Sequence, residues 1–150
     1  MFQNPAQNHQ PDFLIREFVY PEDYPAVCAL WGSAGPGIHL RRSDEPAEIV
    51  KKLKRDPDLF LIAERGGKII GTVLGGFDGR RGVMYHLAVT PEHRQQGIAS
   101  ALVDELETRL RAKGCIRYYL LVTLDNESAI HFYEARGWKR MELFAYGKDL

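Results

Sequence analysis

The chain contains little cysteine, with only Cys28 and Cys115 among its 150 residues. Neither residue belongs to a CxxC pair or stands at a spacing typical of metal ligands. A disulfide framework and a cysteine-based metal site are therefore not expected. We interpret both residues as small apolar side chains in a reducing compartment.

An excess of charge of one sign is also missing, because 20 Lys and Arg residues balance 20 Asp and Glu residues. Proteins that bind polyanions usually carry an excess of basic over acidic residues. We therefore expect no nucleic-acid partner.

Long hydrophobic runs are absent, since no apolar stretch approaches the ~20 residues of a membrane span. The first dozen residues are rich in Asn, Gln and Pro and lack the basic start and apolar run of a signal peptide. We expect a cytoplasmic protein without a membrane partner, and a flexible N-terminal tail over residues 1–12.

The patterning that is present predicts a single domain over residues 13–150. Strands are expected over residues 13–18, 59–63, 68–77, 82–89 and 116–123, with one or two more within residues 138–148. Helices are expected from residue 21, from an N-cap at Asp44, and over residues 97–113 and 126–136. A helix joins the fourth and fifth strands, so these two should be parallel and the hairpin-linked strands antiparallel.

The segment most suggestive of chemistry follows the fourth strand and opens the longest helix. Its backbone passes through Gly97, where a ligand could approach closely, and helix-opening N–H groups together with the helix dipole favour an anion such as a diphosphate. On spacing alone, a plain strand-turn-helix with a solvated turn remains open. The spacing matches neither a P-loop nor a dinucleotide fingerprint.

Two motifs, one after the other along the chain, resemble sequence signatures of the GNAT superfamily of N-acetyltransferases. Arg94-x-x-Gly97-Ile98-Ala99 resembles the family's Q/R-x-x-G-x-G/A signature, placed after a Leu-Ala-Val strand. Asn126-x-x-Ala129-x-x-Phe132-Tyr133-x-x-x-Gly137-Trp138 resembles its Asn-helix-Tyr-Gly-aromatic segment. The resemblance covers residues 13–148, and residues 75–79 are similar to a bacterial subgroup labelled YpeA-like.

The resemblance implies an α/β (α+β) GNAT fold. Its mixed, mostly antiparallel sheet would have six to seven strands, flanked by about four helices and splayed between the fourth and fifth strands. It further implies transfer of acetyl from acetyl-CoA to a primary amine of a small molecule, peptide or protein, by direct attack in a ternary complex. Family members are often dimers, and the sequence leaves the oligomeric state open.

The resemblance also assigns site residues. The strand backbone would pair with the pantetheine arm, the loop N–H groups would hold the pyrophosphate, and two side chains of the last helix would contact the arm and the thioester sulfur. These acetyl-CoA contacts are Leu87, Ala88, Val89, Arg94, Gln95, Gln96, Gly97, Ile98, Ala99, Asn126 and Tyr133. The Tyr133 hydroxyl would stabilise the leaving thiolate, although its spacing also fits core packing.

The proton acceptor is less clear, because the Glu that some family members place on the fourth strand is replaced here by Val83. His86 has a suitable intrinsic pKa of ~6.5 and is a catalytic candidate. Strand alternation would instead turn Tyr85 toward the substrate. Direct loss of the proton to ordered water is an equal alternative. The remaining histidines lack ligand spacing, so no metal is expected.

Two other functions stay open at this point. The chain could be a non-catalytic acyl-CoA-binding sensor, or an unrelated domain that holds another phosphate in its glycine loop. Retention of both Asn126 and Tyr133 favours the enzyme over the sensor, and the missing Walker lysine disfavours the third alternative.

Overall fold

A computed structural model describes residues 12–150. The strands are β1 (Leu14–Glu17), β2 (Phe60–Arg65), β3 (Lys68–Phe77), β4 (Gly82–Val89) and β5 (Tyr118–Leu120). The helices are α1 (Tyr24–Ser33), α2 (Pro46–Arg55), α3 (Ile98–Ala112) and α4 (Glu127–Ala135), with short 3₁₀ turns at Arg42–Asp44 and Pro91–His93. Residues 1–11 of the predicted tail lie outside this range, so the division into tail and domain stays a prediction.

The five strands form one sheet in the order β1-β2-β3-β4-β5. Neighbours from β1 to β4 are antiparallel, whereas β4 and β5 are parallel because α3 carries the chain back across the sheet. The mixed sheet with four helices confirms the predicted fold class.

The expected six to seven strands are wrong in number, because residues 138–148 form no strand in the described part of the chain. The physical reason lies in β5, which spans three residues and offers only a short edge for a further strand. Apolar side chains after α4, such as Phe144 and Tyr146, are accordingly exposed.

The sheet splays between β4 and β5, as expected. Pairing runs only from Gly82 opposite Tyr118 to Met84 opposite Leu120. Beyond it, β4 carries a β-bulge, since two residues stand between Tyr85 and Ala88 where β3 has one. The remainder of β4 faces the gap with its ladder groups unpaired to β5.

Helices cover both faces of the sheet, so β2 is buried on both sides. Leu59, Leu61 and Ala63 pack in one core cluster with α3, while Phe60 and Ile62 join α1 and α2 in the other. This double burial explains why β2 is a continuous apolar run rather than an alternating one.

Close packing of α3 depends on a glycine of β3. A Cβ atom placed on Gly75 would clash with the Leu106 side chain of α3. Because α3 rests directly on the strand, its N-terminus is held at the end of β4, beside the gap in the sheet.

Candidate active site

A cleft of about 2030 Å³ opens where β4 and β5 part. The end of β4 and the first turn of α3 form one wall, and the residues after β5 together with α4 form the other. The loop between α1 and α2, residues 34–45, contributes the remaining side through residues such as Gly37 and Asp44. The cleft therefore joins all the segments in which site residues were predicted.

The loop between β4 and α3 presents its backbone to the cleft. Gln95 and Gly97 both adopt positive φ, at 60° and 82°. The helix starts at Ile98 without a side-chain cap, and its first internal hydrogen bond runs from the Ala101 N–H to the Gly97 carbonyl. The N–H groups of the first turn thus lack helical partners and can bind an anion the size of a diphosphate.

The side chains of Arg94 and Gln96 in this loop form hydrogen bonds with other parts of the protein. The Arg94 guanidinium donates to the carbonyls of Val89 (3.2 Å) and Ala34 (2.8 Å), so it ties the end of β4 to the loop after α1. The Gln96 side chain accepts a hydrogen bond from Arg65 (2.8 Å) and lies outside the cleft lining. The other predicted acetyl-CoA contacts all line the cleft.

Asn126 caps α4 and faces the loop between α1 and α2. Its Oδ1 accepts a hydrogen bond from the Ala129 N–H at 3.3 Å, so the capping contact does not use the amide nitrogen Nδ2. A Cβ atom on Gly37 would clash with that nitrogen, so glycine is what allows the loop to approach the amide. The two sides of the cleft meet at this contact.

Tyr133 projects from α4, with its ring packed between Phe132 (centroids 5.3 Å apart) and Trp138 (5.8 Å). Burial raises the pKa of Tyr133 to about 12. The hydroxyl makes no side-chain hydrogen bond to any of residues 12–150, although the residue lines the cleft. A protonated hydroxyl of this kind can donate a hydrogen bond to a negative sulfur or oxygen atom.

His86 lies in the β4 bulge with φ of 47°. Its Nε2 is 2.8 Å from Oδ1 of Asp44, and its ring packs against Trp31 with centroids 4.6 Å apart. The bulge interrupts the alternation of side chains along β4. Tyr85 and His86 line the cleft together with the other residues of β4. Whether His86 takes a proton stays a prediction.

Asp44 is the residue that the sequence argument missed. It was expected to cap α2, but Glu45 holds the N-cap position and Asp44 ends the preceding 3₁₀ turn. Its carboxylate, buried to 5% exposure, accepts from the Arg41 N–H at 3.0 Å and meets His86. No local pattern could pair two residues that stand 42 positions apart.

Comparisons with known proteins identify the family of the chain. The family model described as Acetyltransferase (GNAT) family matches residues 24–138, well over half of the chain.

The chain belongs to the GNAT family of acetyltransferases.

An acetyltransferase of Pectobacterium atrosepticum is 42% identical to this GNAT protein over 130 residues, which are 86% of this chain and 90% of that protein. The crystal structure of Ard1 from Thermoplasma volcanium has a TM-score of 0.73 at 25% identity, covering 84% of this chain and 82% of that one. The NatC complex bound to Gag peptide and CoA has a TM-score of 0.74 at 23% identity, covering 87% of both chains. The YpeA-like subgroup stays a prediction.

Membership makes this GNAT protein an acetyl-CoA-dependent acyltransferase, with acetyl-CoA as its cosubstrate. Across residues 12–150, no group of three His, Cys, Asp or Glu side chains is placed to hold a metal ion. The same residues contain no helix long and apolar enough to cross a membrane.

Proposed function

We propose that the protein transfers the acetyl group of acetyl-CoA to a primary amine of a small molecule or polypeptide, by direct attack while both substrates are bound. The observation that carries this proposal is the cleft itself. It combines open N–H groups at the start of α3, an unpaired strand edge and the Tyr133 hydroxyl along one continuous surface.

The chain's groups suit the three parts of acetyl-CoA in order. The N–H groups of residues 95–100 hold the diphosphate, while the free edge of Leu87–Val89 pairs with the amides of the pantetheine arm as an added strand. Asn126 donates to the arm from the opposite wall. Arg94 acts indirectly, because it fixes the end of β4 through the Val89 carbonyl.

Three groups are assigned to the transfer step, in which a C–N bond forms and the C–S bond breaks. A backbone N–H near Ala88 or Val89 stabilises the oxygen charge that develops on the thioester carbonyl. Tyr133 donates a hydrogen bond to the departing thiolate. His86, which lines the cleft in the part of β4 that does not pair with β5, accepts the proton that the attacking amine must lose.

Binding is tested with a pair of glycine variants. Gly97→Ala places a methyl group and a strained left-handed residue at the start of α3, and we expect acetyl-CoA affinity to fall at least ~10-fold, because the loss of charge-assisted hydrogen bonds costs ~1.5–3 kcal/mol. The matched control is Gly67→Ala in the β2–β3 hairpin, where φ is 77° against 82° and both positions are open. Both variants carry the same backbone strain of ~1–2 kcal/mol, but only the first should lose affinity in isothermal titration calorimetry. Equal affinities would contradict the proposed phosphate site.

Catalysis is tested by thiol release over a panel of amines and peptides, including acceptors that bear a carboxylate or phosphate. Release that requires both acetyl-CoA and an amine supports the transferase. Acetyl-CoA binding without release for any amine would instead identify an acyl-CoA-binding module.

A further inference from the structure

The hydrogen bonds around Asp44 determine which ring nitrogen of His86 carries the proton. One carboxylate oxygen, Oδ2, accepts from the Arg41 backbone N–H at 3.0 Å, and the other, Oδ1, lies 2.8 Å from His86 Nε2. An ionised carboxylate has no proton to give. His86 must therefore donate through Nε2–H, which leaves the lone pair of a neutral ring on Nδ1.

Asp44 is held firmly enough to impose this arrangement. The Tyr24 hydroxyl donates to the Asp44 carbonyl at 2.9 Å, and the carboxylate is buried at 5% exposure. The hydrogen bond fixes the 3₁₀ turn that precedes α2, and burial restricts the movement of the side chain. The carboxylate therefore has a defined position opposite β4.

The backbone of His86 is held from the other side. Its carbonyl accepts from the Thr72 hydroxyl at 3.0 Å, and that hydroxyl in turn accepts from the Trp31 indole N–H at 2.9 Å. Thr72 is fully buried, so this chain of bonds lies inside the core. The ring of His86 also packs on Trp31, which limits its rotation. The position of the imidazole is thus fixed by groups outside β4.

We propose that Asp44 is a positioning residue that holds His86 as the Nε2–H tautomer, so that Nδ1 receives the proton released by the attacking amine. This inference rests on the proposed function. In the step, the amine nitrogen bonds to the acetyl carbon, its proton passes to Nδ1 directly or through one water, and the electron pair of the C–S bond leaves with the thiolate.

Asp44→Asn gives a directional test, because the Arg41 N–H can only donate. The amide oxygen of Asn must therefore face Arg41, and its NH₂ group must face His86 Nε2. A ring that accepts at Nε2 carries its proton on Nδ1, so the tautomer inverts and the proton acceptor is lost while the shape of the site is kept.

The tautomer is read from ¹⁵N resonances of the imidazole ring at a pH where imidazole is neutral. His86→Asn assigns the resonance, and asparagine suits the positive φ of this position. We expect a pyrrole-type Nε2 in the wild type and a pyrrole-type Nδ1 in Asp44→Asn, with no change in the matched control Glu45→Gln, whose exposed carboxylate makes no cap hydrogen bond. A wild-type ring protonated on Nδ1 would overturn the proposal.

Kinetics separate positioning from simple support of the fold. Asp44→Asn should lower kcat at least ~10-fold, in line with general-base contributions of ~10²–10⁴-fold, while acetyl-CoA affinity stays within about twofold. In the His86→Asn background, Asp44→Asn should add less than about twofold, because its effect passes through the ring. Independent losses that multiply would refute the coupling. If the wild type releases no thiol with any amine, the proposed function fails, and the resonances still decide whether Asp44 sets the tautomer.

Discussion

Removal of the Tyr133 hydroxyl separates a role in chemistry from a role in packing. In Tyr133→Phe the ring contacts with Phe132 and Trp138 remain, and the lost hydroxyl makes no side-chain hydrogen bond within the described residues. The variant should therefore unfold with nearly the wild-type free energy, within the ~0.5 kcal/mol typical of substitutions that remove no contact.

The raised pKa of the Tyr133 hydroxyl decides how it can act on the leaving thiolate. With a pKa of about 12 for Tyr133, against ~8.5 for an ordinary thiol, complete proton transfer to the thiolate is uphill by ~5 kcal/mol. Tyr133 is therefore a hydrogen-bond donor rather than a full acid. A hydrogen bond to a charged group contributes ~1.5–3 kcal/mol, so kcat should fall ~10- to 150-fold.

The assay measures kcat by thiol release and acetyl-CoA affinity by calorimetry. The affinity should change by less than about threefold, because the hydrogen bond forms only as the sulfur gains charge. Tyr119→Phe is the matched control, since Tyr119 belongs to β5 but lies outside the cleft lining. A Tyr133→Phe enzyme with unchanged kcat would make this residue part of the core only, and equal losses in kcat and affinity would mean that it binds the ground state.

Two further predictions concern the fold that supports the site. Gly75→Ala should destabilise the protein by ~1–3 kcal/mol in urea unfolding, because the new methyl group meets Leu106 and α3 must shift; an unchanged midpoint would contradict this packing. Arg16 donates two hydrogen bonds to Asp23, at 2.7 and 2.9 Å, and lowers the pKa of that carboxyl. Since the folded pKa is depressed, the stabilisation is present above the ordinary carboxyl pKa of ~3.9 and is lost as the pH falls through the lower folded value. Arg16 also donates to Glu64 at 3.1 Å. Arg16→Gln should therefore cost ~1–2 kcal/mol at pH ~7, allowing for partial exposure, and the difference in unfolding free energy from wild type should close on acidification below pH ~4; a difference that is constant with pH would show that neither carboxylate stabilises the fold through Arg16.

Local patterns predicted the sheet well where turns limit each strand. The bounds of β3 and β4 were expected at residues 68–77 and 82–89, as observed, because Gly66-Gly67 and Asp78-Gly79 leave few alternatives. The long helix α3 was equally clear, because apolar residues recur at every fourth position, at Ile98, Leu102, Leu106 and Leu110. These features depend on neighbours in sequence, which a single chain displays directly.

The rest depends on contacts between distant segments. No local pattern in β4 indicates an extra residue in its ladder, so strand alternation left Tyr85 and His86 as alternative candidates for the substrate side. Its partner Asp44 was assigned to a local helix cap, since capping is the commonest use of Asp at that place. The strands expected after α4 failed for a related reason, because strand formation needs an edge of sufficient length, and β5 does not supply one.

The bulge in β4 affects more than one side chain of the opening. The extra residue lies beyond the last β4–β5 pair, Met84 opposite Leu120, in the stretch that holds His86 at positive φ. Deleting one residue there would restore the regular alternation of the strand and turn the side chains that follow to the opposite face. A one-residue deletion at this point would therefore rearrange several side chains of the opening at once, whereas a substitution changes only one.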